Sequence, residues 1–481
     1  MNRTNRVRGG AVFTTFLLAL FASIVAGGVV AFIQIANVNP ANPFFLERDP
    51  PEISWGQEPL GLGADAVPLT IEIKDTGIGL DEILVRISQN NTPRELLRKQ
   101  QLGGIRSDLV KVTVDPKKLG LHEGKAEIQV LAFDRSLWSN GARLSKNLSV
   151  DFLKPRLDVI TPQQNAVLGG SELVFYRVGG KRPDSQGVFA QGSLYPGFPA
   201  RFWDDSFQGQ DDLYIAFFPI PPSFDDQKDS MTILARDSIG NVASAPFNYR
   251  IRLKKWGSFS IKLDEGQAMN LKNTLAANPS NESIKARLSG DTLTDLRYLI
   301  KASARHDESI LSDPLSRTEG RCLWNGAFLK PVSSYPANTA GDIRTVIFNG
   351  QEVLKGPSVG SRLPVSSRQK VLASNSGLVS FIGDLSLSGN TIVIDHGFGL
   401  STVYAHLSEV SVKLGDEVQK GQTIGRTGTS GFSQSEEVYF EMRLHGVPVS
   451  PNEWWDESWV TDHVTNKIAF VQRTVLGDAS K

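Results

Sequence analysis

Cysteine is almost absent from this chain of 481 residues, Cys322 being the single one. An intrachain disulfide is therefore excluded, and so are the cysteine ligand sets of structural zinc sites. Cys322 itself is expected to be a small core residue. Excess charge is missing too. Lysine plus arginine and aspartate plus glutamate number 51 each, so the basic footprint of a nucleic-acid binder is not there. What the chain does have, at its start, is an uncharged run. "AVFTTFLLALFASIVAGGVVAFI", Ala11 to Ile33, exceeds the ~20 residues a helix needs to cross a bilayer.

A secretory signal has a shorter apolar region, about 7–15 residues, although "IVAGG" leaves room for cleavage. Arg3, Arg6 and Arg8 precede the run, which puts the N-terminus in the cytoplasm by the positive-inside rule. The expectation is a cytoplasmic basic tail at 1–10 and a single transmembrane helix at 11–35. The bulk of the chain would then be periplasmic, outside the inner membrane. "NVNPANPFFLERDPPEI" reads as a proline-rich extended linker, 36–49.

The chain is mainly β by its turn-punctuated alternation. Two stretches, 50–154 and 155–253, carry short alternating strands between Gly, Asp, Asn and Pro turns. "VLAFDRSLWSN" and "ILARDSIGNVAS" repeat one pattern: strand, Ala-x-Asp, turn, strand. Both resemble the immunoglobulin-like β-sandwiches of bacterial envelope proteins. Asp134 and Asp237 are read as turn caps. The acidic pairs Asp204–Asp205 and Asp211–Asp212 lack a calcium-loop spacing and read as solvated turns. Over 254–324 the period changes: Leu293, Leu296 and Ile300 lie at helical spacing, which predicts a helical connector packed against the C-terminal domain. His306, among charges there, reads as a surface residue.

The last third is dense in strands. "IDHGFGLSTVYAHLS", "VKLGDEVQKGQTIGRTGTSG", "YFEMRLHGVPVSP" and, more faintly, "IRTVIFNGQEV" resemble the M23 peptidases, or LytM-type domains. These enzymes cleave peptide bridges in bacterial peptidoglycan. The resemblance implies a barrel of the duplicated-hybrid-motif kind over 325–460, with a tail at 461–481. It also implies a zinc held by His-x-Gly-x-Asp and the second His of a His-x-His strand. The first His of that strand, and one in the "YAHLS" strand, would move protons.

Counting from Gly428 and Gly431 to Phe440–Glu441 puts Glu437 on the first His and Tyr439 on the second. Upstream, "SVGSR" puts Ser358 on the His, Gly360 on the Gly and Arg362 on the Asp. Serine is a poor zinc ligand, tyrosine a rare one, and arginine stays protonated. His406 alone survives. The candidate groove residues are thus Ser358, Arg362, His406, Glu437 and Tyr439, with no metal ligand, catalytic residue or cofactor expected. A shifted metal site on His396, His406 and Glu437 competes poorly, because His396 sits in a structural strand-turn. His122, His445 and His463 are expected to be exposed. An Arg362–Glu437 ion pair, with Tyr439 or His406 as a further partner, would fill the metal's place; the alternative turns Arg362 to solvent.

The resulting expectation is a membrane-anchored pseudoenzyme that regulates or localises a peptidoglycan hydrolase such as an amidase. A structural or peptidoglycan-binding envelope protein is the alternative, and an active zinc endopeptidase a minor one.

Overall fold

The computed structural model describes residues 8–38, 48–277 and 287–477. Most of the basic tail and of the 36–49 linker, and residues 278–286 of the connector, lie outside these. Arg8–Val38 is one helix, with side chains described at 15 and 17–31. Among the described residues no helix is long and apolar enough to cross a membrane. The transmembrane helix expected at 11–35, which extends beyond those side chains on both sides, is therefore not shown. The chain divides into two compact units, Met1–Lys154 with Asp237–Asn241, and Pro155–Arg236 with Val242–Lys481.

The first unit packs a three-stranded sheet on a five-stranded one. Its inward positions alternate with outward ones, as a strand's two-residue period requires. Leu69, Ile71 and Ile73 of Val67–Lys74 meet Ile83, Val85 and Ile87 of Leu80–Gln89, all buried.

In the second unit, two four-stranded sheets repeat the layered plan. Here strands Ser171–Gly179 and Leu213–Pro219 are buried almost throughout. Their even members, Val174, Tyr176, Tyr214, Ala216 and Phe218, fill the sandwich's own core. Their odd members, Leu173, Phe175, Leu213, Ile215 and Phe217, enter the core of the C-terminal domain beside Trp324, Phe398 and Trp454. Both faces of this sheet are covered, which explains why "LYIAFFP" is continuously apolar rather than alternating. Aromatic rings close the junction: Trp203 stacks on Phe398 at 5.7 Å, and Trp324 meets Trp454 edge-on at 5.3 Å.

The C-terminal domain is built on a sheet in the order Ser361–Pro364, Glu437–Leu444, Leu400–Leu407, Gly389–Asp395, Gly377–Leu385, Glu417–Val418. The connector is not wholly helical. Ser258–Leu263 is a strand, paired parallel with Ile343–Phe348, followed by helices Glu265–Ala277 and Thr292–Ser316. The longer helix starts where the Asp291 carboxylate accepts from Thr294 N at 2.8 Å, a side-chain N-cap. It buries Leu296, Leu299, Ile300, Asp307, Leu311 and Leu315 along one stripe. The region expected as a tail is largely helical as well, with Val464, Ile468 and Val471 in the domain core.

Candidate functional site

The Glu437–Leu444 strand lies between two partners, with Arg362 opposite Tyr439 on one side and Ala405 opposite Tyr439 on the other. Alternation sends Val438 and Phe440 into the core and turns Glu437 and Tyr439 to the opposite face. Gly428 bridges Glu437 through two backbone hydrogen bonds of 3.1 Å. A side chain at Gly428 would meet Ser408 N at 2.5 Å, so glycine is required there. His406 ends its strand with φ 63, the left-handed region that costs a non-glycine residue energy, and its N–H donates to Ser388 O at 2.8 Å.

These elements bring Arg362 and Glu437 together. Arg362 Nε lies 3.0 Å and Nη2 2.9 Å from Glu437 Oε2. Ser433 Oγ donates to Glu437 Oε1 at 3.0 Å. Glu437 is fully buried, with 0% exposure, while 20% of Arg362 remains exposed. A carboxylate removed from water needs such partners, and the guanidinium supplies two donors. His406 Nε2 stands 3.9 Å from Glu437 Oε1, beyond a hydrogen bond, and its Nδ1 lies 2.8 Å from Ser430 O. Burial holds the His406 imidazole below its ordinary pKa, with the Glu437 charge opposing. Tyr439 packs its ring 5.6 Å from that of His406, and burial pushes its phenol up.

The Ser358 hydroxyl is engaged by other partners. It donates to Gly360 O at 2.9 Å and accepts from Asn338 Nδ2 at 3.0 Å. Asn338, which sequence reasoning missed, also accepts from Arg362 N at 3.1 Å and so fixes the strand that presents the guanidinium. No motif marks it; "SSYPANTA" reads only as a loop.

A cavity of about 130 Å³ opens beside Arg362, His406 and Tyr439, and the Thr292–Ser316 helix roofs it with Ala304, Asp307, Glu308 and Leu311. Asp307 accepts from the backbone N–H of Ser386 and Leu387 at 2.8 Å each and of Ser388 at 3.2 Å. Burial nonetheless pushes the Asp307 carboxyl up. Glu308 pairs with Arg443, which also donates to Glu441 Oε2 at 2.7 Å. Arg344 Nε, buried on the same wall, has no hydrogen-bond partner. The helix and its packing against the C-terminal domain were expected from the sequence; its position over the groove was not. A second cleft of about 710 Å³ adjoins it across Phe432, lined by Gln267, Asn270, Thr274, Asn390, Ser433 and Gln434 among others.

Ser358, Arg362 and Tyr439, which the resemblance sets at the ligand positions, do not fit a zinc ion. Arg362 brings a cation paired with Glu437, burial disfavours a Tyr439 phenolate, and the Ser358 hydroxyl is taken by Asn338 and Gly360. Among the described residues no cluster of three or more His, Cys, Asp or Glu could hold a metal. His396 has both ring nitrogens engaged, with Ser376 O at 2.7 Å and Thr402 Oγ1 at 2.8 Å, and burial lowers its pKa to about 4. Three expectations need correction. His445 is half-buried, with Nε2 3.1 Å from Phe217 O, and His463 is half-buried in an ion pair with Glu172. Aromatic rings cover both, Phe198 from far along the chain over His445 and Trp459 from the preceding helical turn over His463. Cys322 is half-buried against the core rather than inside it.

Residues 356–451 match the model of Peptidase family M23. Over 89 residues the chain is 40% identical to Stage II sporulation protein Q of Bacillus subtilis, 18% of this chain and 31% of that protein. Over 94 residues it is 33% identical to the peptidoglycan DD-endopeptidase ShyA of Vibrio cholerae, 20% of this chain and 22% of that protein. The chain thus spans less than a third of the length of either relative. A zinc containing peptidase from Vibrio cholerae aligns over 69% of this chain and 82% of its own, with TM-score 0.21 and 11% identity.

Proposed function

We propose that this chain, which carries a C-terminal M23 peptidase domain, is a noncatalytic regulator of peptidoglycan hydrolysis. One observation carries the reading: an Arg362–Glu437 ion pair occupies positions that the resemblance assigns to a metal ligand and a proton-transfer histidine. Zinc hydrolysis needs an open coordination site on a Lewis acid, and a guanidinium cannot coordinate one. The domain's groove then serves recognition, and its occupant is a segment of a cell-wall hydrolase such as an amidase. The roofing helix keeps that groove closed until a partner displaces it. Anchored by 11–35 in the inner membrane, with both β-sandwiches as immunoglobulin-like spacers, the domain would act on the periplasmic side. Nucleic acid has no part in this reading.

The test is a dye-release assay on purified peptidoglycan, using the full chain alone and then with candidate amidases. No release alone and several-fold stimulation of one amidase is the expected result. Release by this chain alone would restore the peptidase reading. A second reading, a peptidoglycan-binding structural protein, is favoured by the larger cleft. Its lining mixes amides and hydroxyls with Asp384 and apolar side chains such as Leu271 and Phe432, which suits glycan hydroxyl and acetamido groups. Co-sedimentation with insoluble peptidoglycan, without any effect on hydrolases, would select it.

A further inference from the structure

The first unit ends, on one side, in an apolar tip. Leu137 and Trp138 follow one another in the turn between Gly124–Asp134 and Gly141–Val150, and they are 54% and 53% exposed. Ile105, 41% exposed, belongs to the same end, because Leu80 bridges Ile105 and pairs with Asp134. The turn is held in shape from beneath. The buried Asp134 carboxylate accepts from Ser136 N at 3.1 Å, Asn140 N at 2.8 Å and Asn140 Nδ2 at 2.8 Å. The two large apolar side chains are thereby displayed by a built turn.

The register shows which end this is. Ser107, two residues after Ile105, pairs with Lys74, and Lys74 pairs with Glu52. The chain therefore enters the sandwich at the end that carries the tip. Arg48 is closer still, with its guanidinium carbon 5.2 Å from the Trp138 ring centroid. Arg48 lies ten chain steps beyond Val38, where the first helix ends, and a fully extended chain of ten steps spans at most about 36 Å. An apolar helix and an apolar tip are thus tied together on a short leash.

We propose that the Leu137–Trp138 tip, with Ile105 and Arg48, is a lipid-contacting foot that seats the first sandwich on the outer surface of the membrane. The proposal rests on the anchored reading above. Its chemistry is that of an interfacial site: indole prefers the headgroup level, leucine and isoleucine bury apolar area, and the guanidinium faces lipid phosphate. The tether raises the local concentration of lipid surface, so a small patch suffices where it would not in free solution. Seated this way, the sandwich would point its far end away from the bilayer.

The experiment uses the full chain in phosphatidylethanolamine–phosphatidylglycerol vesicles. Cys322→Ser removes the native thiol, and an environment-sensitive fluorophore is placed at Leu137→Cys or, as control, at Lys118→Cys. Lys118 has an 86% exposed side chain and lies beyond Val114, at the other end of the Ser107–Val114 strand. Carbonate washing first asks whether the chain stays in the vesicles. The expected result is a retained chain whose label at 137 is blue-shifted and quenched several-fold more by headgroup-proximal nitroxide lipids than the label at 118. Equal quenching at both sites in a retained chain overturns the foot alone. A blue-shifted label that lipid nitroxides do not quench also overturns it and assigns the tip to a protein partner. Release by carbonate overturns the anchor and the foot together.

Discussion

Glu308 and Arg443 meet through two parallel hydrogen bonds, Nη1 to Oε1 at 2.6 Å and Nη2 to Oε2 at 2.9 Å. This bidentate pair clips the Thr292–Ser316 helix to the strand that carries Glu437 and Tyr439, while Asp307 clips the same turn to the 386–388 backbone. The two partners are unequal. Glu308 is 57% exposed and Arg443 only 3%.

Substitutions at the two ends of the clip should therefore differ. Glu308→Ala leaves Arg443 its bond to buried Glu441 and loses an interaction screened by water, about 0.2–1 kcal/mol. Arg443→Met strands Glu441 as an uncompensated buried charge, which costs about 3–5 kcal/mol. Urea denaturation measures both. Glu308→Ala should also speed amide exchange in the 304–311 turn and, in the amidase assay, lower the threshold for stimulation. Unchanged exchange in that turn would mean that Asp307 and the apolar stripe hold the helix without the clip.

The Arg362–Glu437 pair makes a similar prediction with the sides reversed. Arg362→Ala leaves a fully buried carboxylate with Ser433 as its remaining side-chain donor, at a cost of about 3–5 kcal/mol. Arg362→Ala with Glu437→Ala removes the charge along with its partner and should recover part of that loss. A double-mutant cycle in urea reads the coupling. Strict additivity would show that the two groups act independently despite their geometry.

What the sequence made legible divides along physical lines. Local periodicity reached the strands, the stripe through Leu296 and Ile300, and the face shared by Glu437 and Tyr439, because those depend on residues a few positions apart. Counting from the Gly-x-x-Gly turn set Glu437 and Tyr439 on the family's two strand histidines by resemblance; their pairing with the Arg362 strand comes from the structure. Long-range coverage was not legible. Ser258–Leu263 becomes a strand by pairing with Ile343–Phe348, far along the chain. The odd face of "LYIAFFP" is buried by Trp324, Phe398 and Trp454; read locally, the segment counts among the alternating strands of a sandwich, and cover on its second face was not expected. His445 and His463 were misread for the same reason: one lies in a turn and the other past the last strand, and their partners, Phe217 and Glu172, are far away in the chain.

A half-buried acid outside the groove gives a pH prediction. Glu453 accepts from Ser171 N at 2.9 Å and from Ser171 Oγ at 3.2 Å, yet burial, with Glu172 nearby, pushes its carboxyl up to about 8 from 4.5. A carboxyl with a raised folded-state pKa stabilises fully below its unfolded value, here 4.5, and loses that contribution as pH rises through about 8. His396 and His445, both lowered to about 4, act in the opposite sense, since their contribution is lost as pH falls from 6.5 toward 4. Glu453→Gln isolates the acid. The difference in stability between the native chain and this variant should drift against the native chain from pH 5 to pH 8. A difference independent of pH would mean that Glu453 ionises normally.

The last prediction concerns the metal. Ser358→His, Arg362→Asp, Glu437→His and Tyr439→His together would return imidazole and carboxylate donors to the positions the family uses. A zinc site forms from its ligands as a set, because each missing donor leaves a coordination position to water and weakens the others. Any single reversal should bind no zinc. Arg362→Asp alone would place a second carboxylate beside buried Glu437, a like-charge pair that destabilises instead of coordinating. The fourfold variant also has to remodel its surroundings. Gly360 already admits the Tyr439 ring at 3.0 Å from where a Cβ would stand, and exchanging that ring for imidazole leaves unfilled volume under the roofing helix. Metal content after dialysis against zinc should therefore approach one per chain in the fourfold variant, with weaker retention than a native enzyme site. It should stay near zero in the native chain and each single variant. Stoichiometric zinc in the native chain would locate a metal site elsewhere in the domain and remove the ground for reading the groove as noncatalytic.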